Sequence, residues 1–444
     1  MVASAVATAA LVAAPAAAAS VHVVVDPWSH GGAIGLLVPG HGVSVTRAGT
    51  LAELAKRRPP EGVEVYVALP PPGRTHNVRR YPIAVVGPGY SGLLTSGATR
   101  VPGLVSIRDL DRLSSQPDSN PRSTLLRLDQ RLRRAHDARN GGTLVVMFSA
   151  LVLAGLALLL RSAWLARAGV LSIPTALAAA LLISALGGGR PAVTVTALAV
   201  LTVGGALGLA RLPLPTVVTG FLALYLVVLA ARPEVNALAI VGPHPDGGGR
   251  FYGITNEVET LLLAPVLVAA TAWLWPVAAL ALANVAWSKA GADGGGILVF
   301  AVGLATLRLQ LAGRALTVQR VAVVAVFAVA LGLALVGIDA ALGGSSHVDR
   351  AVGGGPGHVL GVLGHRLRIS WDGVSRTWYS ALIAALTGAA CVMFAFLRPR
   401  VAALDALLVA LAVSLLVNDS PVDVFGFGAL GCAVVWTWGR LAQR

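Results

Sequence analysis

The chain has 444 residues, of which 56% are hydrophobic and 12% charged, with a formal net charge of +14. A soluble globular domain carries about 25% charged residues, and repeated apolar runs of about 20 residues are long enough to cross a bilayer. The composition therefore excludes an ordinary soluble enzyme. The basic residues are scattered over loops and helix ends, with no arginine-rich stripe and interleaved aromatics, so nucleic-acid binding is set aside.

Residues 1–20, MVASAVATAALVAAPAAAAS, form a short apolar segment that ends in small residues. A cleaved signal peptide and a retained N-terminal anchor both fit that pattern, and both export the residues immediately downstream. Residues 21–142 differ in kind and hold about half of the chain's Lys and Arg. The runs VHVVV, GVEVYVALP and YPIAVVG read as short buried strands between Gly/Pro turns. AGTLAELAKRR and STLLRLDQRLRRAHDAR carry helical periodicity. The predicted unit is a small extracytoplasmic α/β domain.

Residues 143–444 read as a polytopic transmembrane domain, a mainly α bundle with about eleven apolar runs. They fall at roughly 143–160, 169–187, 192–210, 213–231, 258–274, 275–288, 295–311, 320–341, 377–397, 401–417 and 422–439. With residues 21–142 outside, the inner loops contain Arg161, Arg167, Arg211, Arg308, Arg314, Arg320, Arg398, Arg400, Arg440 and Arg444, with Asp405 the one acid close by. This positive-inside pattern puts the C-terminus in the cytoplasm, and the bias to Arg over Lys with abundant Ala, Gly and Val suggests a GC-rich bacterial source, hence a bacterial cytoplasmic membrane. Cys391 and Cys432 lie inside apolar runs, so no disulfide framework holds the exported part.

On that topology four polar clusters share the outer face: RFYGITNEVE, SKAGADGGG, SSHVDR and NDSP. Ionisable groups at membrane depth cost about 2.5–3.5 kcal/mol each on insertion scales and usually mark function. Each cluster also has a plainer reading. Asn256 with Glu259 fits a capping box, Phe251 and Tyr252 fit interfacial aromatics, and the glycines of GADGGG fit a tight turn. In NDSP, Asn418 ends one helix while Ser420, Pro421 and Asp423 begin the next. His347, Asp349 and Arg350 stand in a Gly-rich loop where solvated charge is the default.

The chemistry these residues permit is acid–base work or anion binding. Glu257, Asp293, Asp419 and His347 are the candidate catalytic groups, with a divalent cation as an open alternative that oxygen ligands would hold. Arg250, Asn256, Lys289, Asp349 and Arg350 are the candidate substrate-binding groups, the cations suiting phosphate or carboxylate. The predicted partners are membrane lipids and a phosphate-bearing or lipid-linked substrate. HExxH, G-x-S-x-G and P-loop patterns do not occur.

GAIGLLVPG, RRYPIAVVGPGYSGLLTSGATRVPGLVSIRDL, RFYGITNE, GADGGG and NDSP together resemble a family of bacterial polytopic membrane proteins. In that family the extracytoplasmic part looks like an alkaline-phosphatase-superfamily domain, and the membrane part carries RFYGxxN, GADGG and NDSG-type motifs. The resemblance implies a cut-down, degenerate phosphatase-like domain, since only about 120 residues are available outside the membrane. A superfamily phosphatase needs a Ser/Thr nucleophile and Asp/His ligands for two metals. Asp26, His30, His41, Asp109 and Asp111 are present but take no assignable ligand positions, and Pro421 replaces the last glycine of NDSG.

The expected function is a cell-envelope protein acting at the outer face on a phosphate-bearing or lipid-linked intermediate. A transporter or flippase for such a molecule, and a non-catalytic assembly scaffold, are the rival readings.

Overall fold

The computed structural model describes residues 21–38, 52–54, 56, 62–69, 80–243, 245, 251–291, 293–341, 364 and 368–442. The chain divides into two compact units, one of residues 1–136 with 243–252 and one of residues 137–242 with 253–444.

The first unit is built on a mixed sheet. Its strands are β1 (Val21–Val23), β2 (Ala33–Val38), β3 (Glu64–Val67), β4 (Tyr81–Val86), β5 (Gly92–Thr95), β6 (Leu104–Ser106) and β7 (Ser114–Gln116). They run in the order β1-β3-β4-β2-β5-β7, with β6 paired to the far end of β2. Every residue of β2 is buried, as expected for a central strand covered on both faces. β3 alternates instead, turning Val65 and Val67 inward. Val65, Val67, Ile83, Val85, Leu94, Val105 and Ile107 form the core. The strands expected from VHVVV, GVEVYVALP and YPIAVVG are all present. The helix expected at AGTLAELAKRR falls almost wholly outside the described residues, where only 52–54 and 56 are helical.

Helix α1 (Pro121–Leu159) is one continuous helix of 39 residues, where the sequence suggests two helices parted near Gly141–Gly142. Its early turns pack on the sheet. Arg80 donates from Nε to Asp129 at 2.8 Å, and Gly103 sits so near that a Cβ there would lie 2.5 Å from Leu125. Gly103 also adopts φ 83°, a conformation glycine takes at little cost. The Gly-Gly pair does not break α1 because tertiary contact outweighs propensity, which costs about 1 kcal/mol per glycine. A Cβ on Gly141 would lie 2.7 Å from Val195, and one on Gly142 3.3 Å from Ile240. The two glycines serve close packing.

The second unit comprises the rest of α1 with α2 (Ala163–Ala185), α3 (Pro191–Leu209), α4 (Leu214–Ala231), α5 (Pro233–Ala237), α6 (Asn256–Ala270), α7 (Leu274–Ala286), α8 (Gly294–Leu311), α9 (Val318–Ala341), α10 (Trp378–Phe396), α11 (Ala402–Val417) and α12 (Pro421–Ala442). Each of the apolar runs read from the sequence coincides with one of these helices. Eight of the helices are long and apolar enough to cross a membrane, and α7 and α11 are shorter apolar helices. This fits a multi-pass membrane protein.

Helix α6 is buried from Glu257 to Ala270 and packs against α2, α4, α7, α8, α11 and α12. A helix that is apolar all round belongs in the middle of a bundle. Helices α9 and α10 are its opposite, exposing Val326, Phe327, Leu386 and Phe396. An apolar surface of that extent, at about 25 cal/mol per Å², is stable against lipid and costly against water.

Replacing Gly141 by Ala should lower stability by about 1–3 kcal/mol through overpacking against Val195. Gly155→Ala in the same helix, where nothing lies within 4 Å of the new methyl, should leave stability unchanged or raise it. Thermal unfolding of the purified protein, followed by tryptophan fluorescence, compares the two.

Candidate functional site

Three stretches far apart in sequence meet inside the second unit. They are the N-terminus of α6, the turn leading into α8, and the junction between α11 and α12.

The start of α6 is capped by Thr255, whose Oγ1 accepts from the Val258 N–H at 3.3 Å. The capping box expected from Asn256 and Glu259 is therefore not formed. The cap lies one residue earlier, which releases both side chains for tertiary contacts. Asn256 donates from Nδ2 to Asp419 Oδ1 at 2.8 Å and to Ser420 Oγ at 3.3 Å. Glu259, fully buried at 0% exposure, accepts from Asn418 Nδ2 at 3.2 and 3.3 Å on its two oxygens. Asn418 also donates to Ser414 Oγ at 2.8 Å, and its backbone carbonyl accepts from Ser370 Oγ at 3.3 Å. As expected for NDSP, Asn418 closes α11 and Ser420 precedes α12, with Ser420 C=O accepting the Val424 N–H at 3.1 Å.

The turn into α8 comes close through its glycines. A Cβ on Gly295 would lie 2.7 Å from Asn418 Oδ1. One on Gly296 would lie 3.2 Å from Glu259 Oε2 and 3.3 Å from the Asp293 carboxyl carbon. Asp293 is 3% exposed, and its N–H donates to the Val285 carbonyl at 2.8 Å. Gly253, at φ 83°, would clash with the Gly291 carbonyl at 2.2 Å if it carried a Cβ. Its carbonyl accepts from Asn236 Nδ2 at 2.8 Å, and Asn236 Oδ1 accepts from the Tyr225 hydroxyl at 3.1 Å. The glycines of RFYG and GADGGG thus allow two backbones to touch.

Glu257 is buried and pairs with Arg139 of α1, Nη2 to Oε2 at 3.1 Å, with Thr143 Oγ1 at 3.4 Å from Oε1. Asp423, in the first turn of α12, shares the field of Arg139, Asp419 and Glu257. Five carboxylates, Glu257, Glu259, Asp293, Asp419 and Asp423, stand at three helix N-termini, with Arg139 beside Glu257 and Asp423 and Glu259 beside Asn418. Each N-terminus carries roughly half a positive charge, which accounts for so much negative charge at one place.

Of the candidates read from the sequence, Asn256, Glu257, Asp293 and Asp419 belong to this cluster. Lys289 is exposed on the turn before α8. Arg250, His347, Asp349 and Arg350 lie outside the described residues. Sequence reading passed over Arg139 and gave Glu259 and Asn418 only local roles. It also missed Asp339, buried in α9, whose Oδ1 accepts from the Ser288 N–H at 3.1 Å and from Ser288 Oγ at 2.9 Å. An acid inside the run LVGIDAAL was the available signal.

In the first unit the run LLTSGATRVPGLVSIRDL folds into a self-satisfied turn. Asp109 Oδ2 accepts from Ser96 Oγ at 2.6 Å and from the Ala98 N–H at 2.8 Å. Thr99 Oγ1 donates to the Leu104 carbonyl. Arg100, held at φ 55°, places its guanidinium 3.8 Å from the Tyr252 ring centroid, which gives Tyr252 a cation–π partner. His30 stacks on Tyr66 at 3.9 Å. His41 lies outside the described residues. Among the described residues no group of three or more His, Cys, Asp or Glu is disposed to hold a metal ion.

No family model, curated protein or solved structure matches this chain. The resemblance to phosphatase-linked membrane proteins rests on the motifs alone.

Arg139→Ala would strand Glu257 as a buried charge without its guanidinium and should cost about 3–5 kcal/mol. Arg139→Ala with Glu257→Gln should recover much of that loss. A double-mutant cycle on thermal unfolding measures the coupling.

Proposed function

We propose that this protein is a multi-pass protein of a bacterial cytoplasmic membrane that acts, at the outer face, on a phosphate-bearing or lipid-linked intermediate of cell-envelope metabolism. The observation that carries the reading is the junction of Asn256 with Asp419, half-buried, and of Glu259 with Asn418, buried, contacts spanning more than 150 residues of sequence. A chain with so few charges sets five carboxylates and an arginine at neighbouring helix ends in an apolar bundle. Such groups are costly at membrane depth and are retained where they serve a function.

In this reading the chain crosses the membrane about eleven times, with α6, α7 and α11 among the crossings. Residues 21–142 lie outside, as a degenerate phosphatase-like domain that shapes or gates the membrane site, and the C-terminus lies inside. Positive-inside loop charge supports that orientation. Glu257 and Asp419 provide acid–base groups, Asn256 orients Asp419, and Arg139 holds Glu257 while offering a cation to a phosphate. Arg250 and Lys289 remain the proposed outer contacts for the anion.

Transport or flipping of the same molecule is the second reading. It is favoured by the short helices α6, α7 and α11, of 15, 13 and 16 residues, which end or begin at the polar cluster. Interrupted helices whose N-termini face a central site are a common transporter device.

The test is mass spectrometry of envelope lipids from cells lacking the protein, complemented with wild type or with Glu257→Gln. Accumulation of a phosphate-linked lipid that only wild type clears is the expected result. An unchanged lipid profile, or equal rescue by a correctly inserted Glu257→Gln, would refute the proposal.

A further inference from the structure

A second charged site stands elsewhere in the second unit, where the α10–α11 turn meets the end of α12. Trp436 of α12 donates from its indole Nε1 to the Arg398 carbonyl at 3.3 Å. Arg440, one turn further on, holds its guanidinium 5.2 Å from the Trp436 ring centroid. Phe394 lies beside the same indole at 6.2 Å. A Cβ on Gly439 would lie 2.5 Å from Val401, so the turn and the helix end are in close contact.

Three arginines occur here, and they are not equivalent. Arg400 is committed to protein partners. It bonds Asp405 through Nε at 2.9 Å and through Nη2, and the Ala395 carbonyl through Nη1 at 2.8 Å. Asp405 is further engaged by Gln310 at 3.4 Å. Arg398 and Arg440 are exposed, and among the described residues neither makes an ion pair with a carboxylate. The indole is flanked by both residues, with the Arg440 side chain over its ring.

Helix α10, which ends two residues before Arg398, carries an open apolar face. Val392, Met393 and Phe396 of α10 are 60%, 51% and 80% exposed. An exposed arginine whose backbone carbonyl holds the indole, a second arginine over the indole ring, and an exposed apolar helix face present the two chemistries of a phospholipid. Guanidinium binds a phosphate oxygen pair in bidentate fashion, tryptophan settles at head-group level, and the helix face accepts an acyl chain.

We infer that Arg398, Trp436 and Arg440 form a binding site for one anionic glycerophospholipid, its phosphate between the arginines and an acyl chain along α10. The site rests on the membrane reading of these helices and is independent of the envelope substrate proposed above. It differs from general positive-inside attraction because one lipid is held by named groups, while Arg400, two residues from Arg398, is left out.

Native mass spectrometry of the full chain, released from detergent with equal phosphatidylglycerol and phosphatidylcholine, tests it. Wild type should retain one phosphatidylglycerol in preference to phosphatidylcholine. Arg398→Gln with Arg440→Gln should weaken that preference about thirtyfold, the effect of removing two arginines at head-group level. Arg314→Gln with Arg320→Gln, an equal loss of charge at the α8–α9 loop, should leave it unchanged. Inorganic phosphate at millimolar concentration should not displace the lipid. The site is overturned by absence of a preference in wild type, by equal loss in both double variants, or by displacement with inorganic phosphate, which would mark a free-anion site. Arg398→Lys with Arg440→Lys, which keeps the charge, should retain most of the preference and shows that the Gln variant fails through lost charge. Loss of the preference in the Lys variant as large as in the Gln variant would also count against the site.

Discussion

A carboxylate inside an apolar helix bundle must find donors, because water is not there to solvate it. Glu259 is fully buried on α6, and Asn418 meets both of its oxygens from the far end of the chain. Glu257, two residues earlier and facing another side of the same helix, finds Arg139 on α1. These requirements act together. Helix α6 stays in the centre only if α1, α8, α11 and α12 deliver their polar groups to its N-terminus. Within a bilayer the hydrophobic effect neither gathers apolar helices nor chooses their arrangement, since lipid tails are as apolar as leucine. Directional contacts at the polar cluster supply the choice.

Backbone approach is the second condition. Gly253 and Gly291 touch, and Gly295 and Gly296 let the start of α8 reach Asn418, Glu259 and Asp293. Any side chain at these positions would separate the helix N-termini from the carboxylates that their dipoles stabilise. Ser288 and Asp339 secure the same turn from its other side. The glycines and the acids are therefore one device. The glycines bring the helix ends in, and the acids complement the positive potential that results.

The first unit shows the same economy of polar groups in a different setting. Ser96 and Asp109, the residues of the TSGATR…D run that most suggest chemistry, bond each other and the local backbone. Thr99 closes the turn, and Gly103 lets α1 lie against the sheet. The run has a complete structural explanation. Tyr252, which the sequence suggested as an interfacial aromatic, carries Arg100 over its ring.

What the sequence determined by itself was whatever depends on local periodicity and composition. The apolar runs gave the helices, the alternating valines of EVYV gave a half-buried strand, and Ser420–Pro421 gave the start of α12. Motif position also placed Asn256, Glu257, Asp293 and Asp419 at helix ends. Tertiary structure decided the partners. Whether Glu259 capped its own helix or reached Asn418 turned on a one-residue shift of the cap to Thr255, which local pattern does not resolve. Arg139 drew no reading because nothing near it in sequence shows Glu257 beside it. The helical run before Gly141–Gly142 and the apolar run after it read as separate segments, because Val195 and Ile240, which press on the two glycines, lie some 50 to 100 residues away. Local rules report what a segment prefers, and a buried polar group is governed by what else is buried with it.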